Sequence, residues 1–393
     1  MCLLLYAYWV GVFSSRKIAQ ACERNLAFLA IVGDDRPDFR TISDCRKQHL
    51  EAFCAIFVQG LRIAGESGLV KLGNVSTDGT KLQGNASRHK AMSCGSMKQE
   101  VERLREAIEA LGTQAAEQDA EDDAALGSRR GDALPAELAR REARLSTIEA
   151  AMRRLEAQAK AEAEAETERQ RPGTKRRGRA PKAVDETPDA KAQMRFTDAE
   201  LPIMQTANKG WDSCGNAPAS VADACQIIVA CAVTAETNDK QQAVPMAELT
   251  IANLEHAGMA RPADASGRAT KIPGTSDSGY SSEAAAQGVE QLGFEPSRAT
   301  GRQRHHAEAP EVPETPTTAK ERLATTVRTP EGRALYARRK VIVEPVVGQI
   351  KAGRGFRRFL LRGLANSRGE WSLVCLTHNV LKLWRYGCAP VAT

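Results

Sequence analysis

Leu69-Val-Lys-Leu-Gly-Asn-Val-Ser-Thr-Asp78-Gly-Thr-Lys-Leu82 is where a helical chain changes period. Upstream, apolar residues recur at helical spacing. Here valine, threonine and leucine stand among glycine and asparagine, as in a strand bounded by turns, with Asp78-Gly79 read as a turn or bulge at its end. A strand entered from helices, followed by a helical insert and then further strands, predicts a mixed α/β (α+β) fold.

Working backward, Ile18, Cys22, Leu26 and Leu29 predict a helix from Ser14 or Ser15 to Ile31, broken by Asp34-Asp-Arg-Pro-Asp38. Thr41 is the expected cap of a second helix carrying Ile42, Cys45, Leu50, Phe53, Ile56, Phe57 and Leu61. Residues 1–68 thus read as an N-terminal helical region. Working forward, residues 69–96 open the α/β domain. Val101, Leu104, Ile108 and Leu111, then Leu138, Leu145, Ile148, Met152, Leu155 and Ala159, keep a/d spacing. They predict an inserted coiled-coil helical hairpin, reversing between Gly127 and Pro135. With the basic linker Arg171–Lys182 it fills residues 97–185.

The α/β domain resumes over 186–366. Cys225–Thr234 is apolar enough for a central buried strand. Ile272–Tyr280 is a poor strand because Pro273 and Gly274 interrupt it. Gln242–His256 and Ser282–Gly293 read as helices, and the proline-rich Arg302–Thr326 as a loop. Residues 367–393 close the chain as a helix with Trp371, Val374, Cys375, Val380, Leu381 and Trp384 facing inward.

The 393 residues carry a net charge of +6, and its distribution matters more than its sum. From Arg338 to Arg362 there are eight Lys/Arg and one acid, Glu344. Such a segment points to a polyanion partner. Ten scattered cysteines form no Cys-x-x-Cys pair and no zinc spacing, which fits reduced thiols in a cytosolic protein. The apolar opening Met1–Phe13 is too short to span a bilayer, so no membrane role is expected.

Asp78 and Asp277 each stand at an expected strand end, and Glu344 at a helix start or kink made by Pro345. Carboxylates so placed can converge across long sequence distances. Two of them about 4 Å apart repel by roughly 4 kcal/mol at a surface-like dielectric. A pair of divalent cations removes that penalty and drives in-line phosphoryl displacement. Mg²⁺ suits such a site because it takes few carboxylates and shares its shell with phosphate.

These residues carry a family resemblance. Ser76-Thr-Asp78-Gly-Thr-Lys-Leu82, Asp277-Ser-Gly-Tyr280 and Tyr336 through Glu344-Pro-Val-Val-Gly-Gln-Ile-Lys351 to Gly363 resemble the three acid regions of the DDE transposases of bacterial insertion sequences. The similarity is to the group with a long helical insert between the first two acids. It implies an RNase H-like mixed sheet flanked by helices, in a chain whose N-terminal helical domain starts late. It further implies Mg²⁺ or Mn²⁺ held by Asp78, Asp277 and Glu344, cleavage at element ends and strand transfer. Double-stranded DNA would be contacted by Arg339, Lys340, Lys351, Arg354, Arg357 and Arg358. The family's Tyr…Arg…Glu…Lys pattern is approximated by Tyr336, Arg339, Glu344 and Lys351, with Lys340 at the usual Arg–Glu spacing. A homo-oligomer on DNA in the cytoplasm, at the nucleoid, would follow. Pro218, Ser281 and Val347 depart from the family pattern. They leave open the alternative of an inactive remnant that only binds DNA or a coiled-coil partner.

Overall fold

The computed structural model describes residues 1–86, 91–125, 133–170, 187–196, 198, 200–206, 209–259, 261, 269–280, 282–298 and 318–387. Five helices open the chain: α1 (Cys2–Trp9), α2 (Ser15–Arg24), α3 (Leu26–Val32), α4 (Phe39–Gln48) and α5 (Leu50–Glu66). The single helix expected up to Ile31 is split at Asn25. Its backbone is extended and its side chain accepts the Ala27 N–H at 3.0 Å, capping α3. The cap of α4 is Asp38 rather than Thr41, because the Asp38 carboxylate accepts the Arg40 N–H at 2.8 Å.

The remaining elements are β1 (Val75–Gln83), β2 (Ala91–Ser93), α6 (Cys94–Ala125), α7 (Ala133–Gln170), β3 (Gln193–Arg195), β4 (Ile203–Gln205), β5 (Trp211–Ala222), β6 (Ile228–Cys231), α8 (Ala243–His256), β7 (Ile272–Ser276), α9 (Glu283–Gln291), β8 (Phe294–Arg298), α10 (Ala319–Arg328), α11 (Pro330–Gly348) and α12 (Leu364–Gly387). A π-helical turn, Gln349–Gly353, extends α11. The chain divides into two compact units, residues 1–85 with 200–393, and residues 86–199.

In the second unit α6 and α7 pack through Val101, Leu104, Ile148, Ala151 and Leu155, with Met194 from β3 closing one end. Arg105 pairs with Glu149 across the seam at 2.7 Å. The expected turn at 127–131 and linker at 171–182 lie outside the described residues.

The first unit holds a six-stranded sheet in the order β4-β5-β1-β7-β8, with β6 also paired to β5. β5 runs antiparallel to β1, β4 and β6, whereas β7 is parallel to β1 and β8 to β7. This mixed order is RNase H-like. α8 and α9 cover one face through Ala247, Ile251, Leu254, Ala285 and Val289, packed on Val75, Val229 and Ile272. α11, α12 and the N-terminal helices cover the other through Ile342, Val346, Trp371 and Val374, packed on Leu82, Ala217, Ala219 and Val221.

Four further expectations need correction. Asp78-Gly79 is no turn: it lies mid-strand in β1, with Asp78 opposite Ala219 and Gly79 opposite Pro218. Ile272–Ser276 does form a strand. Ile272 N–H donates toward β8, to Gly293 O at 3.0 Å, so Pro273 faces β1, where pairing starts only at Gly274. No donor is wasted there. Trp384 is 55 % exposed on the last turns of α12, tilted against Trp9 at 5.9 Å. The end of the expected loop before Thr326 is α10, begun by a capping box of Thr318 and Glu321; residues 301–317 lie outside the described set.

Pro218 acts on the ladder as its chemistry requires. Asn216 exchanges both backbone bonds with Thr234, and Ala232 N–H donates to Pro218 O at 3.1 Å, but Pro218 has no N–H to return. The regular part of β6 accordingly stops at Cys231.

A buried polar knot ties the chain ends together. Tyr8 Oη donates to Glu370 Oε1 at 2.8 Å and accepts from Arg46 Nη1 at 2.9 Å. Arg46 also donates to Phe13 O and Ser15 Oγ. Glu370 Oε2 accepts the Leu360 and Leu361 N–H groups at 2.8 and 3.2 Å. Burial pushes the Glu370 carboxyl above the usual carboxylate range, against the pull of Arg46. Removing one member strands the others, so Glu370→Leu should cost about 3–5 kcal/mol in urea unfolding of the first unit. An unchanged midpoint would show that the knot does not hold these segments.

Candidate active site

Sheet register brings the first two acids together. Val75, Ser76 and Thr77 of β1 pair with Gly274, Thr275 and Ser276 of β7, so the next residues, Asp78 and Asp277, stand level on neighbouring strands. Such strands lie about 4.8 Å apart. Ser76, Asp78 and Thr80 share one face of β1. Ser76 Oγ meets Thr275 Oγ1 at 2.6 Å, Asp78 meets Arg339 of α11, and Thr80 meets Lys351 of the π turn.

Glu344 lies inside α11, one residue before Pro345, between the buried Val343 and Val346. Pro345 cannot donate to the Val341 carbonyl. Gln226, in the turn between β5 and β6, does so instead: its Nε2 donates to Val341 O at 2.9 Å. Gln226 holds a left-handed backbone, φ 58°. Its Oε1 accepts from Gln349 Nε2 and Lys382 Nζ, and its backbone carbonyl meets His378 Nε2. One side chain thus fixes α11 against α12 where the helix is weakened.

All three acids converge on the Arg339 guanidinium. Nη1 lies 3.2 Å from Asp78 Oδ2, and Nη2 lies 3.0 Å from Glu344 Oε1 and 4.0 Å from Asp277 Oδ1. The arginine side chain is 12 % exposed, whereas Asp277 and Glu344 are about half exposed. Asp78 is raised to about 6. Burial is the main cause, with Asp277 and Asp239 adding to it, while Arg339 and the Gly79 N–H pull the other way. Burial also pushes the Tyr336 phenol up, beside Arg339.

The other basic residues separate into two kinds. Lys340, Arg357 and Arg358 are exposed; Arg357 donates to Lys351 O and Arg358 to Gln83 Oε1. Lys351 is half-buried and its Nζ donates to Thr80 Oγ1 at 2.9 Å and Lys81 O at 3.0 Å, with burial lowering its pKa. Arg354 turns inward to Thr377 Oγ1 at 2.8 Å and Val374 O at 3.3 Å, and burial lowers it to about 10.

Two neighbours were missed by sequence reasoning. Asp239 follows β6 and its Oδ1 accepts from Asn216 Nδ2 at 2.6 Å. A Cβ at Gly79 would lie 2.8 Å from that oxygen and 3.1 Å from Tyr280 Oη, so only glycine fits beside Asp78. Gly79 was therefore the available sign of a crowded site, read instead as a turn. Gln226 left no sign, because its role depends on Pro345, more than a hundred residues away.

The donor set suits a hard divalent cation: three carboxylates facing one positive centre. The guanidinium is the cation that stands there. No group of three His, Cys, Asp or Glu among the described residues is arranged to hold a metal ion.

Two family models match. A transposase DDE domain covers residues 284–384, including Arg339, Glu344 and Lys351. A transposase domain of the DUF772 type covers residues 1–48. No curated protein and no solved structure matches the chain. Asp78 and Asp277 fall outside both matched segments, and it is the RNase H-like sheet that sets them beside Glu344. Both matches are to transposase domains, and together they support an insertion-sequence DDE transposase.

Proposed function

We propose that this transposase cleaves DNA at the ends of its element and joins the freed ends to target DNA, with Asp78, Asp277 and Glu344 as its catalytic acids. The observation that carries this reading is the meeting of three acids, far apart in sequence, around one guanidinium. Asp78, Asp277 and Glu344 would hold Mg²⁺ or Mn²⁺. Bound there, such ions supply an activated water or 3′-hydroxyl and stabilise the leaving oxygen.

The chain's own residues position the reaction. β1 and β7 fix Asp78 and Asp277 through register, and α11, held by Gln226 at its proline, fixes Glu344. Gln83, the partner of Arg358, lies five residues along β1 from Asp78, about 17 Å at 3.4 Å per residue. That is about half a helical turn of duplex DNA. Arg357, Arg358 and Lys340 are the proposed backbone contacts. Lys351 keeps donor capacity beyond its two bonds to β1 and is a further one. Arg354 is left out, since its guanidinium is committed to α12.

A homo-oligomer holding paired DNA ends in the cytoplasm, at the nucleoid, completes the proposal. No helix among the described residues is long and apolar enough to cross a membrane.

Asp78→Asn, Asp277→Asn and Glu344→Gln should each remove Mg²⁺-dependent nicking of an element-end duplex while DNA binding persists. Full nicking by any one of them would sink the assignment, and binding without nicking in the unaltered chain would favour the remnant reading. The Asp78 titration adds a pH dependence. With its pKa at about 6, Asp78 is mainly ionised at pH 7 and mainly protonated at pH 5, and the protonated form is a poor metal ligand. Nicking at limiting Mg²⁺ should fall about tenfold from pH 7 to pH 5. A flat profile over that range would contradict it.

A further inference from the structure

Arg339 is placed unlike its basic neighbours. Arg338, one residue earlier, points to Asp223 at 3.0 Å with its side chain half exposed. Arg339 is nearly buried and faces Asp78, Asp277 and Glu344 together. Its two terminal nitrogens stand 3.0–3.2 Å from the oxygens of Asp78 and Glu344. Divalent ions of this kind bind carboxylate oxygen at about 2.0–2.1 Å, so they need the same lone pairs and the same space.

We propose that Arg339 is a positioning residue that serves as the site's resident counter-ion: it holds the three acids converged when no metal is bound and competes with metal for them. The inference rests on the reading of these acids as the metal site. Three negative charges brought together with no cation would splay apart or be filled by proton or metal. The planar fork of arginine reaches several carboxylates at once, which the single ammonium of a lysine does not. Lys340, although next in sequence, is exposed and does not serve.

Competition has a consequence for the order of events. In the DNA-free protein Arg339 keeps metal affinity low. Anything that draws the guanidinium away, a phosphate of bound DNA foremost, frees the acids and raises it. Metal and DNA then bind with positive coupling, and the acids are least able to cut when no DNA is held.

The test is Mn²⁺ binding to the full chain at pH 7 without DNA, read as free Mn²⁺ by electron paramagnetic resonance. Arg339→Gln should bind Mn²⁺ at least about tenfold more tightly than the unaltered protein, because a positive charge at contact distance from the ion is gone. Arg338→Gln removes the same charge from the same helix and should leave the affinity within about twofold. Equal or weaker binding by Arg339→Gln, with measurable binding by the unaltered protein, overturns the counter-ion role and leaves the metal reading standing. No saturable binding by either protein overturns both. A second measurement needs no variant. Adding Mg²⁺ to the unaltered protein should speed exchange of the Arg339 guanidinium protons with water, followed by ¹⁵N NMR. Unchanged protection at saturating Mg²⁺ overturns the proposal even if Arg339→Gln fails to fold.

Discussion

Like charges at close range govern this molecule. The parallel register of β1 and β7 sets Asp78 and Asp277 side by side, and α11 adds Glu344. Two carboxylates held about 4 Å apart would repel by roughly 4 kcal/mol at an effective dielectric of 20. Arg339 offsets part of this, though not enough to cancel burial at Asp78, whose pKa stays at about 6. A site that is uneasy without cations is what the proposed metal-dependent phosphoryl transfer would require.

The scaffold around the acids is stiff for identifiable reasons. Gly79 allows Asp239, Asn216 and Tyr280 to crowd against β1. Pro345 frees a carbonyl that Gln226 recovers, so a potential kink becomes a fixed joint. Lys351 bolts the π turn to β1 two residues beyond Asp78. Further back, the Tyr8–Arg46–Glu370 knot ties the N-terminal helices to α12 and to the segment carrying Arg357 and Arg358. The basic stretch is therefore less a free cationic surface than a set of side chains divided between structure and outward display.

Much of this was legible in the sequence. The long apolar stripes predicted α6 and α7, because a helix period repeated over several turns has few alternatives, and α8 and α9 also formed where helices were read. The three acids could be named as candidates, Glu344 as a carboxylate among cations and Asp78 and Asp277 through the family resemblance, and the structure brings them to one guanidinium. What failed was local punctuation whose meaning depends on distant partners. Asp78-Gly79 looked like a turn because the atoms crowding Gly79 come from Asp239, Asn216 and Tyr280. Pro273 looked like an interruption because its orientation toward the unpaired end of β1 is invisible in one dimension. Asn25 split a helix whose apolar spacing ran straight through it. Arg339 was read as a phosphate contact, and only the register of β1, β7 and α11 reveals that it faces three acids.

The central claim is that Asp78, Asp277 and Glu344 form a single divalent-cation site. Crystals of the protein bound to an element-end duplex, soaked with Mn²⁺ and measured at the manganese absorption edge, test it most directly. The account predicts an anomalous peak ligated by oxygens of Asp78 together with Asp277 or Glu344, with the Arg339 guanidinium displaced from between them. Anomalous density elsewhere in the fold, or none at saturating Mn²⁺ with the guanidinium still in place, would contradict it.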